Sequence, residues 1–378
     1  MNLLELLSEY SKFLENKKLE GKKIIAFMAH DNIPEELLDA AGLIPLRMIF
    51  AGNDELMNSS HNFLPPSTCS FAQSCLGLFS IKPKIFKFLE NVNYILLSNH
   101  CVTDICVSEL ISENFNIKRL DFYVSYTRDT SSFDYYKLEL NNLRKELEAI
   151  TKEEISDEKI RESVIKYNNF KKTLSNVDEL NIKGSEKLEI FQKAMLFGPD
   201  IQPEIERFIE ENKNQVTFNK DDFKTLFLTG CSIFIGDYLI DLVEESGGNI
   251  VFFDTWIGYN YYSQIFTNNV LKSIDNPIEL LKKRFENNIY GDHTIPNFFA
   301  NKIIFIENYI HNFNKKNSRK IGIINHVIKF CDHFSIFQSS LKNKLQEKGI
   351  NILNLERDYS RSNKGQLSTR IEAFMEMI

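Results

Sequence analysis

No stretch of this 378-residue sequence reaches the roughly 20 consecutive apolar residues that a bilayer needs, so no membrane span is expected. The N-terminal segment MNLLELLSEYSKFLENKKLEGKK has no basic start, apolar run or small-residue cleavage site, and its apolar and charged residues alternate at helical spacing. With no export signal, the cytoplasm is the expected compartment, where cysteines stay reduced or bind metal. A basic surplus is also missing: 45 Lys and Arg against 52 Asp and Glu leave a net charge of −7. A phosphate backbone or an anionic membrane is therefore not attracted, and neither is an expected partner. There is no C-x-x-C pair, which sets aside zinc-finger and local ferredoxin spacings. Gly230, Gly236, Gly247 and Gly248 lack the G-x-G-x-x-G spacing, so NAD is not implied.

What is present is ordinary globular composition, 43% apolar and 26% charged, in a length suited to two or three compact units. From about residue 24, short apolar runs alternate with amphipathic stretches, the pattern of a parallel sheet covered by helices. Strands are predicted at 24–29, 44–50, 94–99 and 119–126, with a helix at 34–42 closed by Gly42. Between about 133 and 220 no strand pattern occurs, and charges surround apolar residues three and four apart. This helical connector reads either as a partner-recognition surface or as a solvated hairpin joining two domains, the ordinary meaning of such charge runs. Strands resume at 225–230, 249–256, 320–326 and 350–358, and GQLSTRIEAFMEMI predicts a terminal helix. The expected architecture is α/β, with two Rossmann-like, flavodoxin-like parallel-sheet domains at 1–132 and 221–378 joined by a connector at 133–220. Ligands of open parallel sheets bind beyond the carboxyl ends of the strands, so residues there are the first candidates for chemistry.

Three of the six cysteines fall there. Cys101 follows YILLSNH, Cys231 follows TLFLTG, and Cys331 lies just past IGIINH. Cys69 sits in a Pro-Pro-Ser-Thr loop leading into a helix, where the helix N-terminus favours a thiolate and suits a metal ligand. Free cysteine is also among the most buried residue types, so position alone leaves ligation and simple burial both open. Cys75 and Cys106 lie within helical patterns and read as core thiols.

The segments IPEELLDAAGLIPLRM, TCSFAQSCLG, SNHCVTD, LTGCSI, GGNIVFFDTWIG and HVIKFCDHFS, and above all the terminal LERDYSRSNKGQLSTRIEAFMEMI, resemble the 2-hydroxyacyl-CoA dehydratases and their relatives, the benzoyl-CoA reductases and double-cubane cluster proteins. The resemblance runs along most of the chain. It implies that Cys69, Cys101 and Cys331 each ligate one iron of a [4Fe–4S] cluster, leaving one iron open as a Lewis acid in the manner of catalytic zinc sites. It further implies a heterodimer with a paralogous dehydratase subunit and one electron from an ATP-dependent iron–sulfur activator protein. That electron turns the thioester carbonyl of a 2-hydroxyacyl-CoA into a ketyl radical, which expels the hydroxyl and acidifies the β proton, whose loss and the return of the electron give a 2-enoyl-CoA. Two other readings are a benzoyl-CoA-reductase-like subunit and a non-catalytic cluster carrier serving a catalytic paralogue.

The chain departs from its relatives in two places. FDTWIG and the stretch before residue 320 lack the further cysteines of double-cubane members, which points to a single cubane. Before Pro34, several relatives place a Cys or hydroxyl residue where this chain has His30, Asp31 and Asn32. Candidate catalytic residues are His100 and Asp104, which flank Cys101, and Glu356 at the end of the last strand. His100 and Asp104 read as tuners of the cluster or proton donors, with helix capping by Thr103 or Asp104 as the structural alternative. Glu356 reads as facing the crevice or as pairing with Arg361 or Arg370. His326 and His333 flank Cys331 and read as proton movers or as satisfied structural residues. Trp256, Tyr259, Tyr261 and Tyr262 read as an acyl-pocket lining or as core packing.

Overall fold

A computed structural model of the chain describes residues 3–28, 33–214, 222–289, 295–317 and 320–378. Its β-branched apolar runs form two four-stranded sheets, all of whose neighbouring strands are parallel. The first contains β1 (Ile24–Phe27), β2 (Ile44–Arg47), β3 (Val92–Ser98) and β4 (Lys118–Phe122). The second contains β5 (Lys224–Gly230), β6 (Gly248–Asp254), β7 (Gly322–Ile328) and β8 (Ile352–Arg357). The orders β2-β1-β3-β4 and β6-β5-β7-β8 are the same winding used twice. Each matches the first four strands of the flavodoxin order, so the α/β expectation of two Rossmann-like units holds. Every residue of β1 and of β7 is buried, as befits central strands covered on both faces.

Two strands, β2 and β4, end three or more residues before their expected limits. Beyond Arg47 the chain leaves its own sheet for the second one: Phe50 pairs with Ile235 in an isolated parallel bridge. Ala51 N–H donates to the Ile235 carbonyl at 2.8 Å and Ile235 N–H to that of Ile49 at 2.9 Å. Beyond Phe122 the side chain of Asn99 takes over, accepting from Val124 N–H at 2.7 Å and donating to the Val124 carbonyl at 2.9 Å.

The expected connector consists of the helices Thr130–Thr151, Asp157–Ser175, Gly184–Phe197 and Gln202–Asn212, with no strand among its described residues. It is more than a solvated hairpin. Phe170, Leu188, Phe191 and Met195 belong to the largest core cluster, together with Ile24 and Leu46 of the first sheet and Leu228 and Ile324 of the second. Each such side chain withdrawn from water contributes about 1.5–3 kcal/mol to holding the two sheets in place.

Candidate functional site

In each sheet the winding reverses direction between its two central strands, β1 and β3 in the first and β5 and β7 in the second, and the crevice lies beyond their carboxyl ends. The two crevices face one another across a single cavity of about 80 Å³, several times what one water requires. Met28 beyond β1, Cys101 beyond β3, Cys231 beyond β5 and Cys331 beyond β7 line it, and Cys69 joins them. All four cysteines that the sequence places near loops thus meet, although they span most of the chain. Cys75 is buried elsewhere with its thiol 4.0 Å from the Met48 carbonyl, and Cys106 is exposed.

Local chemistry fixes each sulfur. Cys69 is the cap residue of the helix Ser70–Ile81, and its Pro-rich loop is pinned by Gln73, whose amide donates to the carbonyls of Pro66 at 3.0 Å and Thr68 at 2.8 Å. Cys101 occupies the cap position of the helix Val102–Phe115, and Cys331 that of the short helix Asp332–Ser335. Neither Thr103 nor Asp104 is the cap, so that alternative falls away. Phe330 turns the chain toward Cys331 with φ 64, a left-handed conformation that a bulky residue adopts only under constraint from its surroundings. The Cys231 sulfur accepts the Ile328 N–H at 3.4 Å.

The four thiols do not ionise alike. Side-chain hydrogen bonds from Cys231 and Cys69 hold Cys331 well below the usual thiol range, against the effect of burial and with help from the Phe334 amide. Cys69 is raised by that same hydrogen bond and by burial, while the Ala72 and Phe71 amides oppose the rise. Burial pushes Cys101 up to about 12, opposed by the Asp104 amide. Cys231 is raised by burial and then by its hydrogen bond to Cys331. Among the described residues, no three His, Cys, Asp or Glu side chains are set to hold a metal ion directly. The sulfurs instead stand around the walls of a cavity, and soft thiolate donors so disposed fit an iron–sulfur centre, which binds through several irons.

Of the predicted catalytic residues, two lie at this cavity. His100 Nδ1 is 3.2 Å from Asp104 Oδ2, both side chains buried, and Asp104 Oδ1 accepts from Ser108 Oγ at 3.3 Å. The His333 ring lies nearly parallel to that of His100, with centroids 6.2 Å apart. Glu356 does not join them. It lies on β8, an edge strand rather than a central one, is exposed, and accepts from Gln338 at 3.0 Å instead of pairing with Arg361 or Arg370. His326 is fully buried beneath the site, with Nδ1 2.9 Å from the Cys231 carbonyl, and burial lowers its pKa to about 4. His30, Asp31 and Asn32 lie outside the described residues.

Apolar side chains close the cavity: Phe71 and Phe234 stack at 4.3 Å, and Trp256 packs edge-on against Phe234. Trp256 and Asn260 also line a second cavity of about 50 Å³, whose other walls carry Glu36, Lys171 and Arg284. Asn260 Oδ1 is buried with no hydrogen-bond partner among the described residues. The aromatic cluster therefore divides. Trp256 reaches the site, Tyr261 is buried in an ion-pair network with Glu35 and Arg47, and Tyr259 and Tyr262 line a separate cleft. Sequence reasoning missed Met28 and Asn260 and left Cys231 open, although its position after a strand was the same signal that marked Cys101.

Known proteins share this arrangement of segments. Residues 32–378 match the family model described as 2-hydroxyglutaryl-CoA dehydratase, D-component. The chain is similar to the (R)-phenyllactyl-CoA dehydratase beta subunit of Clostridium sporogenes, 23% identical over 97% of this chain and 94% of that one. It is also similar to YjiM of Escherichia coli (strain K12), provisionally named a dehydratase subunit, 22% identical over 92% of this chain and 89% of that one. A benzoyl-CoA reductase subunit of Thauera aromatica is 27% identical over a shorter stretch, 42% of this chain and 40% of its own length. With cysteines from both sheets gathered at one crevice and a family match over nearly its whole length, the chain belongs to the family of the 2-hydroxyglutaryl-CoA dehydratase D-component.

Proposed function

We infer that this chain is the iron–sulfur subunit of a 2-hydroxyacyl-CoA dehydratase, eliminating water from a 2-hydroxyacyl-CoA to give the 2-enoyl-CoA. The observation that carries the reading is the meeting of Cys69, Cys101 and Cys331, one from a loop and two from central-strand ends of different sheets, at one cavity. These three are the proposed ligands of a [4Fe–4S] cluster. When bound, it would supply a single electron and take it back, so that the elimination consumes no net reductant. The chain would act in the cytoplasm, pair with a paralogous subunit and receive its electron from an ATP-dependent activator.

The protein's own groups then have definite tasks. Phe71, Phe234 and Trp256 give the cavity an apolar wall, which lowers the local polarity and so strengthens charge interactions beside it. Asp104, with Oδ2 3.2 Å from His100 Nδ1, would stabilise the positive charge on the His100 ring if that ring takes up a proton at the cavity wall. Asn260 lines both cavities, and its buried side-chain oxygen would accept a hydrogen bond from a polar ligand group if that side chain turned toward either one. Glu356 has no part in this scheme.

Anaerobic purification or reconstitution tests the reading. The wild type should be brown and hold about four irons per chain, as one cubane requires. Cys69→Ala, Cys101→Ala and Cys331→Ala should each lose most of that iron, and Cys75→Ala and Cys106→Ala should keep it. Iron-free wild type after reconstitution would overturn the proposal. A dehydratase converts substrate without stoichiometric reductant once partner and activator are present; consumption of reductant in proportion to product would favour the reductase alternative.

A further inference from the structure

The fourth cysteine at the cavity has no role in a three-cysteine site, yet its backbone is tied closely to a central strand. Its backbone is locked to β7 on both sides of the peptide: Cys231 N–H donates to the His326 carbonyl at 2.7 Å, and the Cys231 carbonyl lies 2.9 Å from His326 Nδ1. Gly230 makes that approach possible. It has φ +92, and a Cβ there would stand 2.2 Å from the His326 carbonyl oxygen, so only glycine lets the chain turn in this way. The sulfur lines the same cavity as Cys331 and receives the Ile328 N–H at 3.4 Å. A backbone N–H aimed at sulfur stabilises a thiolate and offers nothing to a cysteine serving as a small hydrophobe. Cys75 shows the contrast: its thiol donates toward the Met48 carbonyl in the core, and it lines neither of the two cavities that meet at Trp256.

We propose that Cys231 is the fourth protein ligand of the cluster, so that all four irons of this chain's cubane carry cysteine. The inference rests on the cluster reading above and sharpens it. A four-cysteine cubane has no open iron for a substrate oxygen, and its task is electron transfer. The substrate carbonyl would then have no iron to bind in this chain, and the elimination would occur at the partner subunit's centre.

Two measurements on reconstituted protein test this without recourse to turnover. The wild type, reduced and titrated with cyanide, should keep its electron paramagnetic resonance spectrum unchanged, and ferricyanide should not extract a single iron to leave a three-iron cluster. Cys231→Ala should still bind about four irons through Cys69, Cys101 and Cys331, but its spectrum should shift with cyanide and one iron should leave on oxidation. Cys231→Ser, which keeps an anionic donor, should retain all four irons with a changed midpoint potential. A cyanide-sensitive wild-type spectrum, or a wild type that yields the three-iron form as readily as Cys231→Ala, would overturn the assignment. The wild-type titration decides the matter even if neither variant folds. Wild type without any iron would instead overturn the cluster reading itself, a different and recognisable result.

Discussion

Ser70 donates its backbone N–H to the carbonyl of Lys329 at 3.2 Å, with its hydroxyl 3.4 Å from the same oxygen, across 259 positions of sequence. Ser70 follows Cys69 and Lys329 precedes Cys331 by two residues, so this contact sets the spacing of two sulfurs drawn from different sheets. The first position of a helix needs no N–H for the helix itself, and here that otherwise orphaned donor is used as a tie between domains.

The tie can be cut with little damage to the helix. Proline is welcome at the first helical position, and Cys69, at φ −47 and ψ 124, already has the extended conformation that a following proline demands. Ser70→Pro should therefore cost about 1 kcal/mol in urea unfolding, the worth of one hydrogen bond. Its larger effect should be on the reconstituted protein, with iron released several-fold faster to a chelator. Wild-type release rates would show that the tie does not govern the site.

Arg47, at the end of β2, is 1% exposed and reaches three parts of the chain at once. It pairs with Glu35, donates to the Met195 carbonyl of the connector, and donates to Tyr261 of the second unit at 3.0 Å. Removing one partner of a buried pair strands the other, at a cost of about 3–5 kcal/mol. Arg47→Met should show that loss in chemical denaturation. The double variant Arg47→Met with Glu35→Leu should recover much of it, since two apolar side chains leave no stranded charge. Additive losses would refute the coupling.

Asp178 provides a pH signature independent of the cysteines. Burial raises its pKa to about 6 from 3.8, with Lys187 and the Tyr262 hydroxyl pulling the other way. A folded pKa above the unfolded one means that the native state binds more protons between the two values. Stability from this group is complete below about pH 3.8 and is lost as pH rises through about 6. Asp178→Asn cannot titrate, so its stability relative to wild type should rise by roughly 2.4 kcal/mol between pH 4 and pH 7. A constant difference across that range would show that Asp178 has an ordinary pKa.

Much of this was legible in the sequence because period-2 and period-3.6 apolar patterns and strand-end positions are local properties. The eight strands and the convergence of Cys69, Cys101 and Cys331 follow from those patterns together with the resemblance. What the patterns could not carry is direction across space. Glu356 ends a strand just as His326 and Cys331 lie near the end of one, and only the strand order reveals that β8 is at an edge and β7 at the centre. The run 44–50 looks like one strand because its apolar content continues, yet its last residues pair with Ile235, a partner more than a hundred positions away. The helical connector looks solvated because its charges are numerous; the apolar stripe carrying Phe191 and Met195 is the part that packs.

The last prediction concerns Gly230, where geometry and chemistry can be separated by a control. Gly349 has a similar left-handed φ of +73, but a Cβ there would meet nothing within 4 Å. Gly349→Ala should therefore cost only the strain of an L-residue in that conformation, roughly 1–2 kcal/mol. Gly230→Ala has the same conformational strain and must also force its Cβ against the His326 carbonyl at 2.2 Å, with Asn325 Oδ1 at 2.8 Å. Backbone cannot swing aside as a side chain can, so β5 and β7 must part at their ends, and Cys231 moves with them. The cost should exceed that of Gly349→Ala by at least about 1 kcal/mol in urea unfolding of the iron-free protein, since overpacking typically costs 1–3 kcal/mol. The reconstituted Gly230→Ala protein should behave in the cyanide titration as Cys231→Ala does, although every cysteine is still present. Equal losses for the two glycines would mean that the close approach of β5 to His326 gives way easily. Cys231 would then be free to shift, and its fixed place at the cavity would lose its physical basis.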